Sequence, residues 1–96
     1  MLFALICTDK PASLDLRLST RPEHVAFLKS LGSGLKFAGP FLGADEKPNG
    51  SLVVIDADSR AHAETIAAQD PYAKAGLFQS VDIRAWTWTL NNPEAK

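Results

Sequence analysis

Two stretches of the chain hold residue types suited to acid–base chemistry: RLSTRPEHVAFL, Arg17 to Leu28, and QDPYAKAGLF, Gln69 to Phe78. His24 is the candidate base. Thr20 and Glu23 spell a Ser/Thr-x-x-Glu capping box with Pro22 in the first turn, so His24 is expected just inside a helix start. Unpaired N–H groups and the helix dipole there work against an imidazolium and leave a neutral ring able to accept a proton. A neighbouring carboxylate would hold one ring nitrogen and complete a minimal general acid–base pair. Asp70, 46 positions on, is a carboxylate whose residue context leaves open whether it caps a helix or meets a ligand.

Each residue also has an ordinary structural reading. Asp before Pro is a recurrent helix start, worth about 1 kcal/mol as a cap. A lone helix histidine is commonly a surface residue, and the pair has chemical meaning only if the fold joins its members. Arg17 and Arg21 precede His24 on what would be one helix face if the helix ran unbroken. Lining the same cleft, either would favour an anionic substrate or a developing oxyanion; otherwise both are solvated. Ser51 offers a hydroxyl donor or an ordinary turn-edge serine. Tyr72 offers a wall or a hydrogen bond, and packing explains it equally well. His62, among small and polar residues, is assigned no role.

Other chemistries lack their parts. LGSGL follows a helix instead of joining strand to helix, the wrong setting for a phosphate loop. No His/Cys/acid set has zinc spacing, and no Gly-x-Ser-x-Gly elbow occurs. Cys7 lies in a strand run, where a buried, inactive thiol is the default.

The elements that must bring these residues together follow from patterning. Leu2–Thr8 is a strand, stopped by Asp9-Lys10-Pro11. Leu14, Leu18, Val25 and Leu28 recur near helical spacing. Pro22 interrupts them, which predicts two helical pieces, about 11–19 and 21–31, or one helix kinked there. Gly32 and Gly34 supply the stop. LKFAGPFL is a second strand with a bulge or early end expected at Gly39-Pro40, and SLVVID a third. Ser59 caps a second helix, RAHAETIAAQ, whose Ala63, Ile66 and Ala67 face a sheet. SVDIRAWTWTL is the last strand. The order β-α-β-β-α-β predicts an α+β, ferredoxin-like fold: a four-stranded antiparallel sheet with both helices on one face.

A sheet covered on one face should alternate apolar and polar residues. Here Leu2, Ala4 and Ile6 oppose Phe3, Leu5 and Cys7, and Trp86 and Trp88 oppose Val81, Ile83 and Ala85. The uncovered face is therefore apolar and aromatic, and a second copy packing sheet to sheet is the expected cover.

Ninety-six residues make one domain, 1–96, with a tail from about 91 expected to fray. Net charge is −1 with scattered Lys and Arg, which argues against nucleic acid as a partner. MLFALICT has no basic leader and ends far short of a membrane span, and one cysteine allows no internal disulfide. A cytoplasmic location is expected.

RLSTRPEHVAFL, AGP in the second strand and DPYAKAGLF, in that order, resemble the YCII-related (YciI-like) family of small bacterial proteins over nearly the whole chain. The resemblance implies a dimeric α+β barrel built from ferredoxin-like protomers. It also implies a cleft with a His–Asp dyad, mapped onto His24 and Asp70, and no metal or organic cofactor. A related protein is a dehydrochlorinase acting on a chlorinated, hydroxylated aromatic; the broader barrel group includes cofactor-free isomerases and monooxygenases. The expected activity is general acid–base elimination or isomerisation of a small anionic or hydroxylated aromatic metabolite. The alternatives are a non-catalytic metabolite-binding or accessory dimer and, third, a cofactor-free aromatic oxygenase.

Overall fold

The computed structural model describes residues 1–95. Four strands, β1 (Leu2–Asp9), β2 (Leu35–Leu42), β3 (Pro48–Asp56) and β4 (Phe78–Trp86), form one antiparallel sheet in the order β2-β3-β1-β4. Helices α1 (Leu14–Ser30), α2 (Arg60–Gln69) and the single turn α3 (Pro71–Lys74) complete the ferredoxin-like β-α-β-β-α-β order.

The register puts Phe3, Leu5 and Cys7 beside Ile55, Val53 and Ser51 on one side and Ala85, Ile83 and Val81 on the other. This is the helix-covered face. Phe3, Leu5, Val53, Ile55 and Ile83 form the core there with Leu28 of α1 and Ala63 and Ile66 of α2. Ser59 caps α2 as expected, accepting a hydrogen bond from the His62 N–H at 3.1 Å.

Of the two readings of α1, the single helix is the one formed: it runs through Pro22, and Thr20 is buried mid-helix, so no helix starts at a Thr20–Glu23 box. The i−4 partner that Pro22 leaves without its donor is the carbonyl of Leu18, an exposed residue, where water can serve. The buried stripe is Arg17, Thr20, His24 and Leu28, whereas Leu18 is 54% exposed. Of the four apolar residues at helical spacing, Leu28 is buried, Leu14 and Val25 are partly buried and only Leu18 faces out, so polar residues share the inward face with them.

The strands also differ in detail. Gly39 and Pro40 stay in the β2 ladder, opposite Leu52 and Ser51; the irregularities fall at Leu35/Phe37 and Phe41/Leu42. β2 is an edge strand, so the N–H missing from Pro40 is tolerated. β3 begins at Pro48, making Ser51 interior to it, and β4 ends at Trp86, leaving Trp88 outside.

The opposite face is partly covered by the chain itself. Phe37 on β2 meets Trp86 and Trp88 edge-on, with ring centroids 5.7 and 5.0 Å apart. Because β1 and β3 lie between β2 and β4, these rings reach over the intervening strands, where Ala4 and Val54 are buried. Beyond them Glu94 meets Lys36 at 2.9 Å. Ile6 and Leu52 are half-buried and Phe41 is 42% exposed at the uncovered end of this face.

Candidate active site

The long-range meeting on which the chemistry depends is made. The Nδ1 of His24 lies 2.9 Å from both carboxylate oxygens of Asp70, with both residues more than 90% buried. An ionised carboxylate only accepts, so Nδ1–H donates and Nε2 is left as the free basic nitrogen of the neutral ring. His24 is well inside α1, away from its N-terminus, so the helix-start field expected from sequence does not act on it. Asp70 is the group that orients it.

Asp70 has a second task. It ends α2 and is the N-cap of α3, where its Oδ1 accepts the Tyr72 N–H at 2.9 Å, with Pro71 at the first helical position. α3 closes with two reverse bonds, Leu77 N–H to the Tyr72 carbonyl (3.0 Å) and Gly76 N–H to the Ala73 carbonyl (3.1 Å). This is a Schellman motif, and Gly76 supplies the left-handed backbone it needs, φ 76°. The stretch DPYAKAGL thus fixes Tyr72 between two locks and seats Leu77 in the interior.

Tyr72 stacks on His24, with centroids 3.9 Å apart and planes 18° apart. Arg17, two turns before His24 on the same face, also packs on that ring, 4.7 Å from its centroid. Arg17 is 4% exposed and pairs with Asp9 at the end of β1, Nε to Oδ2 at 2.7 Å and Nη2 to Oδ1 at 3.3 Å. Its Nη2 also donates to Ser51 Oγ at 2.7 Å, and its Nη1 reaches Tyr72 Oη at 3.5 Å. Sequence reasoning passed over Asp9, reading it as a strand terminator. The available signal was parity: Asp9 follows Phe3, Leu5 and Cys7 onto the covered side, and a buried acid there requires a cation.

Burial pushes the Tyr72 phenol above its ordinary value, with Arg17 and Arg21 pulling the other way. Cys7 is pushed up to about 12, first by burial and then by the Asp70 carboxylate. It is therefore a neutral thiol at physiological pH, as its strand position implied.

These side chains border a cleft of about 240 Å³, walled by Ala38, Gly39 and Pro40 of β2 on one side and α1 on the other. A cavity of about 150 Å³ accepts benzene, so there is room for one substituted ring. His24, Arg17, Ser51 and Tyr72 line it, and Arg21 stands exposed at its mouth with no carboxylate in ion-pair range among the described residues. All six residues singled out from sequence therefore gather here. His62 lies apart, held by the Asp58 N–H at 3.2 Å. Among the described residues, no helix is long and apolar enough to cross a membrane.

Comparison with known proteins agrees with this architecture. Protein YciI of Escherichia coli O6:H1 is 35% identical over 92 residues, covering 88% of this chain and 94% of that protein. An uncharacterized protein of Haemophilus influenzae matches to the same extent. In structure, the chain is similar to 5-chloro-2-hydroxyhydroquinone dehydrochlorinase from Burkholderia phenoliruptrix AC1100, solved with 2,5-dihydroxybenzoquinone. The TM-score is 0.87 at 32% identity, over 96% of this chain and 99% of that one. SnoaB, a cofactor-independent oxygenase from Streptomyces nogalater, shares the fold at 14% identity, with a TM-score of 0.56 over 95% and 96% of the two chains. The YCII-related domain model matches residues 1–87, and the chain belongs to that family.

Proposed function

We propose that this protein is a small, cofactor-independent enzyme that moves a proton on a single-ring hydroxylated or anionic aromatic metabolite, leading to elimination or isomerisation. The observation carrying this reading is the His24–Asp70 pair at 2.9 Å beside a ring-sized cleft. Nε2 of His24 removes a proton from an acidic O–H or C–H of the bound ring. Asp70, held on Nδ1, stabilises the imidazolium that forms, and His24 returns the proton to a ring position or to a leaving group. Arg21 at the mouth draws an anion in. The dehydrochlorinase relative supports a halogenated hydroxyaromatic as the first substrate class to try.

The test is turnover of 5-chloro-2-hydroxyhydroquinone and related hydroxylated rings by the wild type, His24→Ala and Asp70→Asn, with chloride release followed where chlorine is present. Loss of turnover in both variants, with the fold retained, is expected. Unimpaired turnover in either overturns the mechanism. The competing reading, a metabolite-binding or accessory module, predicts tight binding without product across the same panel. The apolar remainder of the open sheet face supports a homodimer packed sheet to sheet, and the lone buried thiol fits the cytoplasm as its compartment.

A further inference from the structure

The polar cluster beside the dyad is organised around the buried Arg17 cation. Arg17 is buried and its charge is matched by Asp9. Two further N–H groups go to hydroxyl oxygens, Ser51 Oγ at 2.7 Å and Tyr72 Oη at 3.5 Å, so four of the five guanidinium donors are committed. A hydroxyl has one proton to give and lone pairs with which to accept. Here both oxygens accept from the same guanidinium, and neither proton is donated to any acceptor among the described residues. Both residues line the cleft.

We infer that the Asp9–Arg17 pair is a positioning device: by donating to Ser51 and Tyr72 it turns their O–H groups outward as a paired donor for one ligand oxygen bound beside His24. This rests on the cleft being a ligand site, as proposed above. The ligand group that fits is a phenolate, enolate or carbonyl oxygen, the atom on which charge grows when a neighbouring base takes a proton. Donation from a cation polarises each O–H and strengthens what it gives. Because Arg17 is neutralised, the pair prefers a single, localised oxygen charge over a fully ionic group such as a phosphate. Tyr72 keeps its proton through neutral pH, since burial holds its phenol above the usual range.

The probe is 4-nitrophenol, whose absorbance separates phenol from phenolate. The wild type is expected to bind it and to raise the phenolate fraction. Ser51→Ala and Tyr72→Phe are each expected to weaken binding about 10-fold, the loss of one hydrogen bond to a charged acceptor, and to return the bound probe towards phenol. Tyr72→Phe keeps the ring against His24, so it decides the matter if Ser51→Ala fails to fold. Unchanged or tighter binding in Ser51→Ala overturns the proposal, because a released Arg17 N–H would then be the anion's partner. Absence of probe binding by the wild type overturns it too. The dyad is judged separately by turnover: product formation without phenolate binding refutes the donor pair and keeps the enzyme, whereas phenolate binding with no product keeps the donor pair and refutes the enzyme.

Discussion

Asp70 serves a helix cap and a histidine with one carboxylate, and the two duties separate by substitution. Asparagine is as good an N-cap as aspartate, so Asp70→Asn is expected to change stability by less than about 0.5 kcal/mol while losing the charge beside His24. Its signature is in the ¹⁵N shifts of the His24 ring: a single Nδ1–H tautomer in the wild type and a mixture in the variant. Asp70→Ala removes the cap as well and costs about 1 kcal/mol more in a thermal or denaturant melt. Asp9 differs, because its removal strands a buried guanidinium. Asp9→Asn is expected to destabilise by about 3–5 kcal/mol, measured by urea unfolding. Cys7 adds a pH dependence. Its folded-state value is raised from 9.0 to about 12, so folding keeps the proton longer than the unfolded chain does. That contribution is complete below pH 9 and is lost as pH rises towards 12. Denaturation midpoints stepped through this range should fall less steeply in Cys7→Ser.

The order of the main elements was legible in the sequence, because strand runs and caps are local signals: Ser59 caps α2 and Asp70 caps α3 where their wording says. For α1 the apolar spacing identifies a helix but does not fix its facing. Periodicity scores apolar residues, but this helix turns Arg17, Thr20 and His24 inward because Asp9, Ser51, Tyr72 and Asp70 wait there with matching groups. Pro22 misled for a related reason: a missing donor is expensive only when the orphaned carbonyl is dry, and Leu18 faces water. The dyad was legible only by resemblance, since no local rule joins position 24 to position 70. The Schellman close of α3 makes its own prediction. A Cβ at Gly76 meets only Lys10 Nζ at 3.7 Å, so the penalty for substitution is conformational. Gly76→Ala should cost about 1–2 kcal/mol, and Gly76→Asn less, in thermal melts.

At the scale of the molecule, the two sides of the sheet have different work. One carries the core and the cleft; the other carries the Phe37, Trp86 and Trp88 cluster and, past it, Ile6, Leu52 and Phe41. If a second copy covers that remainder, Leu52→Arg should shift the sedimentation of the wild-type dimer to that of a monomer and leave the His24 cleft, on the reverse side, able to bind its probe. A wild type that sediments as a monomer at micromolar concentration refutes the dimer. β2 bears on how such copies stop adding. It is one of the sheet's two edge strands, and an apolar sheet with an open rim invites end-on growth. Pro40 sits in that rim and has no N–H to offer an incoming strand, so the residue that walls the cleft also blunts this edge against strand addition.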